Sequence, residues 1–406
     1  MITRIEINGF KSFSNFVMEF TPFAVISGAN ASGKSNLFDA LRLLSGLASL
    51  DLRSAFSLPD RRGNIDEQFL LYTSEKHVSE MSFVVDVLVK RSIEDNWGGK
   101  AEITTPRLRY ELVIDRRSNE RGFDELFVKK ERLFKIRPEE DDWCKRYLGN
   151  KHKDIWGSRQ ADGSAKPYID TKEKNEKQTI TIRQDGRRGG RESVANTINQ
   201  TVLSSVNSVD FPHVFAMREE LRSWNFMQLN PEILREPTKQ ETNYIDKIGH
   251  SGENLAAALF RLKCEDEYNI TDVSRALKSF LPEYVGVDVI DDKANKLFIV
   301  NLTNIDGKVF TSRVLSEGTL RLLVLCILLV DEQHRGLLCF EYPENGIHPF
   351  RIKAMAYLLK DMSMDLEQPD ELLRQIIINT HSPELLQEIN DMSYSDKRIS
   401  INEFTR

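Results

Sequence analysis

From Ile2 to Asn8, apolar Ile5 and Ile7 alternate with polar Arg4, Glu6 and Asn8, the two-residue period of a half-buried strand. Val17–Phe20 and Phe23–Ser27 read as two further strands. Leu37, Phe38, Leu41 and Leu44 then recur at helical spacing, so the chain is predicted to pass from strand to helix between Ser27 and Asn36. Met81–Lys90 and Arg109–Asp115 are strand-like and are separated by a Trp97-Gly98-Gly99 break. Helical periodicity returns at Leu255, Leu259 and Leu262, behind a Ser251-Gly252-Glu253-Asn254 start. Strands are predicted at Val285–Ile290 and Leu297–Leu302, then an apolar helix from Gly318 to about Val330. A strand at Leu337–Phe340, a helix at Pro349–Met362 and a strand at Gln375–Asn379 follow. Strands alternating with helices predict an α/β class with a mostly parallel sheet flanked by helices.

One junction in this pattern carries chemistry. Gly28-Ala29-Asn30-Ala31-Ser32-Gly33-Lys34-Ser35 matches G-x-x-x-x-G-K-S, and it stands after an apolar strand and opens an amphipathic helix. Glycines let the loop turn its backbone N–H groups inward around phosphates, and the helix N-terminus adds a favourable dipole for anions. Lys34 is expected to reach the β- and γ-phosphates of a nucleotide, and the Ser35 hydroxyl to ligate Mg²⁺. A phosphate loop alone does not separate a GTPase from a kinase, a helicase or a transporter ATPase.

The C-terminal half narrows the choice. Leu315-Ser316-Glu317-Gly318-Thr319 opens a helix, the apolar strand Leu337-Leu338-Cys339-Phe340 ends in Glu341, and Ile376-Ile377-Ile378-Asn379 delivers Thr380-His381-Ser382-Pro383. A carboxylate at such a strand end is where a Mg²⁺-holding acid is expected.

With these motifs in this order the chain resembles the ABC-type ATPase heads of the RecF, SMC and OLD class, particularly the stand-alone RecF-like ATPases of bacterial defence and repair loci. The resemblance rests on Lys11-Ser12-Phe13, the phosphate loop, Gly252-Glu253-Asn254-Leu255, Ser316-Glu317-Gly318, the Glu341-to-Pro349 block and Thr380-His381-Ser382-Pro383. It covers roughly residues 1–125 and 251–406 and implies an ABC-type P-loop ATPase head with an antiparallel β subdomain, split by an insertion at 126–250. That insertion is expected to be partly helical with a mobile basic loop. The resemblance further implies an ATP sandwich between two subunits. Gly28, Asn30, Gly33, Lys34, Ser35 and Asn36 of one would hold ATP, and Ser316 and Gly318 of the other would contact its γ-phosphate. His381 is then the γ-phosphate sensor, with a plain structural histidine as the other reading, and Ser35 and Glu341 hold Mg²⁺. Gln68 is a candidate for the Mg²⁺- and water-contacting glutamine, although no distinctive motif surrounds it. Related heads place two acids at the end of the strand, whereas here the pair reads Glu341-Tyr342. A neutral tyrosine is a poor base, so hydrolysis is expected to be slow unless Glu344 supplies the base instead.

Charge and composition add limits. The 406 residues carry a formal net charge of −6, so no global positive field draws the chain to nucleic acid or an anionic membrane. Between Lys129 and Arg191 basic residues outnumber acidic ones, and Arg183, Arg187, Arg188 and Arg191 cluster near a Gly-punctuated segment. DNA or an acidic partner would dock there. The longest apolar run, Leu322–Val330, has nine residues against the 20 or so of a spanning helix, so no membrane partner is expected. The N-terminus lacks a signal-peptide pattern, which predicts a cytoplasmic protein. Four dispersed cysteines form no C-x-x-C pair and predict neither a zinc site nor a disulfide framework.

Three functions compete: a regulatory or DNA-associated ATPase, an enzyme with its own nuclease centre, and a transporter's nucleotide-binding subunit. Only 25 residues follow His381, fewer than the nuclease domain of OLD proteins needs, and the signature and tail block favour the RecF-like class over transporters. The expectation is an ATPase that dimerises or forms a higher homo-oligomer and controls a separately encoded nuclease or toxin. An anti-phage system such as Septu or a retron-linked module is the favoured setting, and RecF-like DNA repair is the alternative.

Overall fold

The computed structural model describes residues 1–58, 64–73, 76–148, 153–157, 166–174, 177–184, 190–194, 199–240, 246–368 and 373–404. They fall into two compact units. The first comprises Met1–Thr21, Asn30–Trp224 and Asp365–Leu373, and the second Pro22–Ala29, Asn225–Met364 and Arg374–Arg406.

The first unit is built on an antiparallel sheet of eight strands. Their spatial order is Gly190–Val194, Lys177–Arg183, Ile169–Lys174, Asp124–Lys135, Arg107–Ser118, Glu80–Leu88, Ile2–Asn8 and Phe16–Glu19. The alternation read at Ile2–Asn8 is realised: Ile5 and Ile7 are buried, while Arg4 and Glu6 are half-buried and Asn8 is exposed. The mobile basic loop expected within 126–250 is corrected in its described part. Ile169–Lys174 and Lys177–Arg183 are strands that continue the sheet, with Ile169 facing Ile182 and Thr171 facing Ile180. Ile180 and Ile182 are buried, and a two-residue period runs through Lys177–Arg183, but short threonines and terminal charges dilute it in the sequence. Arg183 is correspondingly buried and donates to the Pro167 carbonyl at 3.1 Å, so it is not an exposed basic contact. Arg187 and Arg188 lie outside the described residues, as does the side chain of Arg191.

Two buried charged groups on strands of this sheet are fully paired. Arg107, 1% exposed, donates Nε and Nη2 to the two oxygens of Asp141 at 2.9 Å each, and Nη1 to Thr3 Oγ1 at 2.8 Å. Glu131, fully buried, accepts from the backbone N–H of Val202 at 2.6 Å and Leu203 at 2.8 Å, and from Tyr110 Oη at 3.0 Å.

The second unit holds a five-stranded sheet, all of whose pairings are parallel, in the order Asn225–Met227, Gly336–Glu341, Arg374–Asn379, Phe23–Gly28 and Ile399–Phe404. Gly336–Glu341 and Arg374–Asn379 are buried at every residue, the sign of a sheet covered on both faces. The helices Leu255–Glu265, Glu267–Phe280, Glu317–Val330, Pro349–Met362 and Pro383–Ser393 belong to the same unit. From Leu320 to Leu328 every apolar side chain of Glu317–Val330 is at most 1% exposed, which explains why that helix reads as apolar all round. Truncating one of its leucines to alanine would cost about 2–5 kcal/mol. A smaller antiparallel sheet joins Thr238–Lys239, Leu297–Asn304 and Tyr284–Asp292, with Val309–Thr311 pairing the central strand. The architecture is therefore the predicted α/β class, with the large antiparallel sheet in the first unit and the parallel sheet in the second, beside the smaller antiparallel one. Among the described residues no helix is long and apolar enough to cross a membrane.

Candidate functional site

Parallel register decides what gathers at one edge of the five-stranded sheet. Asn379 pairs with Glu341 on one side and with Ile26 on the other, so Gly28, Glu341 and Thr380 all leave the sheet at the carboxyl ends of adjacent strands. That edge is where open α/β sheets bind ligands. Phe23, Ala24, Val25 and Ile26 are fully buried and anchor the strand that delivers the phosphate loop.

The loop itself needs unusual backbone angles. Gly28 has φ +137°, and a Cβ there would lie 2.5 Å from the Phe404 carbonyl oxygen, so glycine is required at that position. Ala31 and Gly33 also take positive φ, 63° and 101°, and Gly33 caps the helix Lys34–Leu47. Asn30 is exposed, Ser35 and Asn36 are half-buried, and Lys34 is 4% exposed. Burial pushes the Lys34 ammonium below the ordinary lysine pKa, which gives it reason to gain from an anion.

Around that helix the first unit adds a second group. Asn36 Nδ2 donates to Ser12 Oγ at 2.8 Å, and Lys11 Nζ meets Asp39 Oδ2 at 2.6 Å. The backbone N–H of Lys11 donates to the Gln68 carbonyl at 2.9 Å, which ties the short turn Asp66–Gln68 to the same place. Gln68 Nε2 donates to the Phe56 carbonyl at 2.6 Å. Its Oε1 and Ser32 Oγ are buried without a hydrogen-bond partner. Buried oxygens of this kind ordinarily find a donor or a cation, so this group fits a phosphate with its magnesium.

In the second unit Glu341, 8% exposed, ends its strand and the chain turns sharply. Tyr342 has φ +53°, held by its own N–H donating to the Asn379 carbonyl at 2.9 Å and by its carbonyl accepting from Asn345 N–H at 3.2 Å. Glu344 Oε1 accepts from Thr380 Oγ1 at 2.5 Å and from the His381 N–H at 3.4 Å, while its Oε2 is buried without a partner. Ser382 N–H donates to Thr380 Oγ1 at 3.0 Å and so joins the same chain of bonds. Tyr342 Oη and His381 Nε2 lie 3.2 Å apart, their rings stacked at 5.2 Å and 21°. The structure thus brings Glu344 and His381 together.

Ser316 begins the helix Glu317–Val330. Its hydroxyl accepts from Thr319 N–H at 3.2 Å and lies 2.8 Å from Thr319 Oγ1, which makes it an N-cap within this chain. Gly318 is dictated by packing: a Cβ would stand 2.5 Å from the Gly346 carbonyl oxygen. Gly346, at φ +71°, a backbone conformation that favours glycine, lies against the Glu317 side chain. The signature helix and the block after Glu341 are therefore one fitted surface.

The expected site residues fall into two groups, each coherent within its own unit: Asn30, Gly33, Lys34, Ser35, Asn36 and Gln68 in the first, and Gly28, Ser316, Gly318, Glu341, Glu344 and His381 in the second. Two residues of the last strand and its motif, given no role of their own by the sequence, belong here as well. Thr380 anchors Glu344, and Asn379 is fully buried with both side-chain polar atoms unpartnered. A polar residue closing the run Ile376-Ile377-Ile378 was the available signal.

Known proteins of similar sequence and fold give the chain its family. Residues 23–387 match the family described as "AAA domain, putative AbiEii toxin, Type IV TA system". Chromosome partition protein Smc of Synechocystis sp. is 46% identical over 65 residues, which are 16% of this chain and 5% of that protein, so the match spans a small part of the curated relative. Two solved structures are similar over 95% of this chain and 91% of theirs. One is the SMC head domain from Thermotoga maritima, at 12% identity and a TM-score of 0.38. The other is the Smc head domain from Pyrococcus furiosus with an extended coiled coil, bound to the C-terminal domain of ScpA, at 14% and 0.42. With 365 of its 406 residues inside the family match, the chain belongs to that AAA domain family.

Proposed function

We propose that this member of the AAA domain family binds ATP with Mg²⁺, hydrolyses it slowly, and uses a nucleotide-dependent dimer or higher homo-oligomer to control a separately encoded nuclease or toxin. The observation that carries the reading is the edge of the parallel sheet, where the phosphate loop, Glu341 and the Thr380-His381 segment leave adjacent strands. Lys34, with Gly28, Asn30, Gly33 and Asn36, would hold the phosphates. Ser35, Glu341 and Gln68 would hold the cation, whose chemistry is to neutralise charge developing on the phosphates. Ser316 and Gly318 would meet the nucleotide of a second copy through the helix N-terminus they open.

Slow turnover follows from the residues after Glu341. A tyrosine is a poor proton acceptor, and Tyr342 is engaged with His381. Glu344 commits one oxygen to Thr380, and the other is shielded from water. A positioned general base is worth about 10²–10⁴-fold in rate, and neither group offers one in this arrangement. The toxin–antitoxin wording of the family description favours a defence setting, by association, over RecF-like DNA repair or a transporter subunit.

Nucleotide affinity and steady-state hydrolysis test this together. Lys34→Ala is expected to abolish or strongly weaken ATP binding while the thermal melt holds, and unchanged affinity would refute the phosphate-loop assignment. Tyr342→Glu is expected to accelerate a slow parent by at least about tenfold. A brisk parent silenced by Glu344→Gln would instead make Glu344 the base and end the slow-switch reading.

A further inference from the structure

Resting on the nucleotide site just proposed, we propose that Tyr342 is the positioning residue of His381. It donates its phenolic O–H to Nε2 and thereby fixes the ring tautomer whose Nδ1–H is offered to the terminal phosphate of a nucleoside triphosphate. Three observations lead there. First, Tyr342 touches His381 in two ways at once, through the 3.2 Å contact to Nε2 and through the stacked rings at 5.2 Å. Second, it does so from a left-handed backbone at φ +53°, a conformation unfavourable for a side-chain-bearing residue and one that its hydrogen bonds with Asn379 and Asn345 maintain. Third, the same turn holds the backbone of His381, because Glu344 Oε1 accepts from the His381 N–H and from Thr380 Oγ1. Ring and backbone of the histidine are therefore both set by Tyr342–Glu344.

The direction of the bond follows from the groups. A phenol is a good donor and a weak acceptor, since its lone pair is shared with the ring, whereas an unprotonated imidazole nitrogen is a strong acceptor. Protonation at one ring nitrogen is settled by the bond the other makes, so donation to Nε2 places the proton on Nδ1. His381 is exposed, and Nδ1 has no hydrogen-bond partner among the described residues, so its N–H is open to an anion.

Long-range ¹H–¹⁵N spectra of histidine-labelled protein read the tautomer directly, with His381 assigned by its loss in His381→Gln. The parent should show Nδ1–H. Tyr342→Phe keeps the ring stack, loses the donor and should revert to Nε2–H, the form free imidazole side chains favour in water. The same variant should lose roughly five- to tenfold of the preference for a non-hydrolysable ATP analogue over ADP, the worth of about one hydrogen bond to a charged group. A parent already in the Nε2–H form, or a Tyr342→Phe protein with an unchanged tautomer, overturns the positioning role even if nucleotide binds normally. A parent that binds neither nucleotide overturns the site itself, and with it the phosphate role, whatever the tautomer. If Tyr342→Phe melts early, Tyr342→Trp supplies the stack without the phenol and must give the same Nε2–H spectrum.

Discussion

Buried polar groups are treated in opposite ways by the two sheets. In the antiparallel sheet Arg107 forms a two-pronged pair with Asp141 and a third bond with Thr3, and Glu131 accepts three hydrogen bonds. At the carboxyl edge of the parallel sheet Asn379 is equally buried, yet both its amide atoms go unpartnered, and Glu344 leaves one buried oxygen unmatched. An unpaired buried polar group costs about 1–3 kcal/mol, so a fold that satisfies one sheet and not the other is tolerating that cost where a ligand or a change of state can use it.

The sharpest way to break this contrast is to remove one partner of a complete network. Asp141→Ala strands the Arg107 guanidinium and should destabilise the protein by about 3–5 kcal/mol in a denaturant titration. A loss below about 1 kcal/mol would mean that the network is not structural.

Next comes pH. Burial pushes the Glu131 carboxyl up to about 7 from 4.5, against three hydrogen bonds that lower it. Between those values the folded state holds a proton that the unfolded state has released, so this group's contribution to stability falls as pH rises from about 4.5 to about 7. The fall should approach about 3 kcal/mol, and Glu131→Gln should flatten it. A profile that Glu131→Gln leaves unaltered would locate the pH dependence elsewhere.

The smallest effect has the opposite sign. Asn379→Leu removes two unmatched polar atoms at similar volume and should stabilise the nucleotide-free protein by up to about 1–3 kcal/mol, while reducing the extra thermal stability conferred by Mg²⁺ and ATP. If Asn379→Leu is as damaging as Asp141→Ala, the two sheets do not differ and the contrast fails.

Much of the site was legible because its signals are local. A strand period of two, a helix period near four and eight consecutive loop residues announce the phosphate loop without reference to the rest of the chain. The buried run ending in Glu341 and the run ending in Asn379 are equally plain, and so is the helix Pro349–Met362, whose bounds coincide with the sequence reading. The basic stretch misled for the converse reason. Its strands carry threonine and charge between isoleucines, and only pairing with Asp124–Lys135 and with each other buries those isoleucines.

What the sequence alone determined is therefore the α/β class, the strand and helix bounds around the motifs, and the chemistry that Lys34, Ser35 and Glu341 can offer. Tertiary structure decided the rest. It set Gly318 against Gly346, tied Gln68 to Lys11, made Ser316 a helix cap, and placed Tyr342 on His381 and Glu344 on Thr380, partners 39 and 36 positions apart. Periodicity reports only how a residue relates to its near neighbours, whereas these contacts depend on which strands pair and in what register, and that is settled by the burial of the whole sheet.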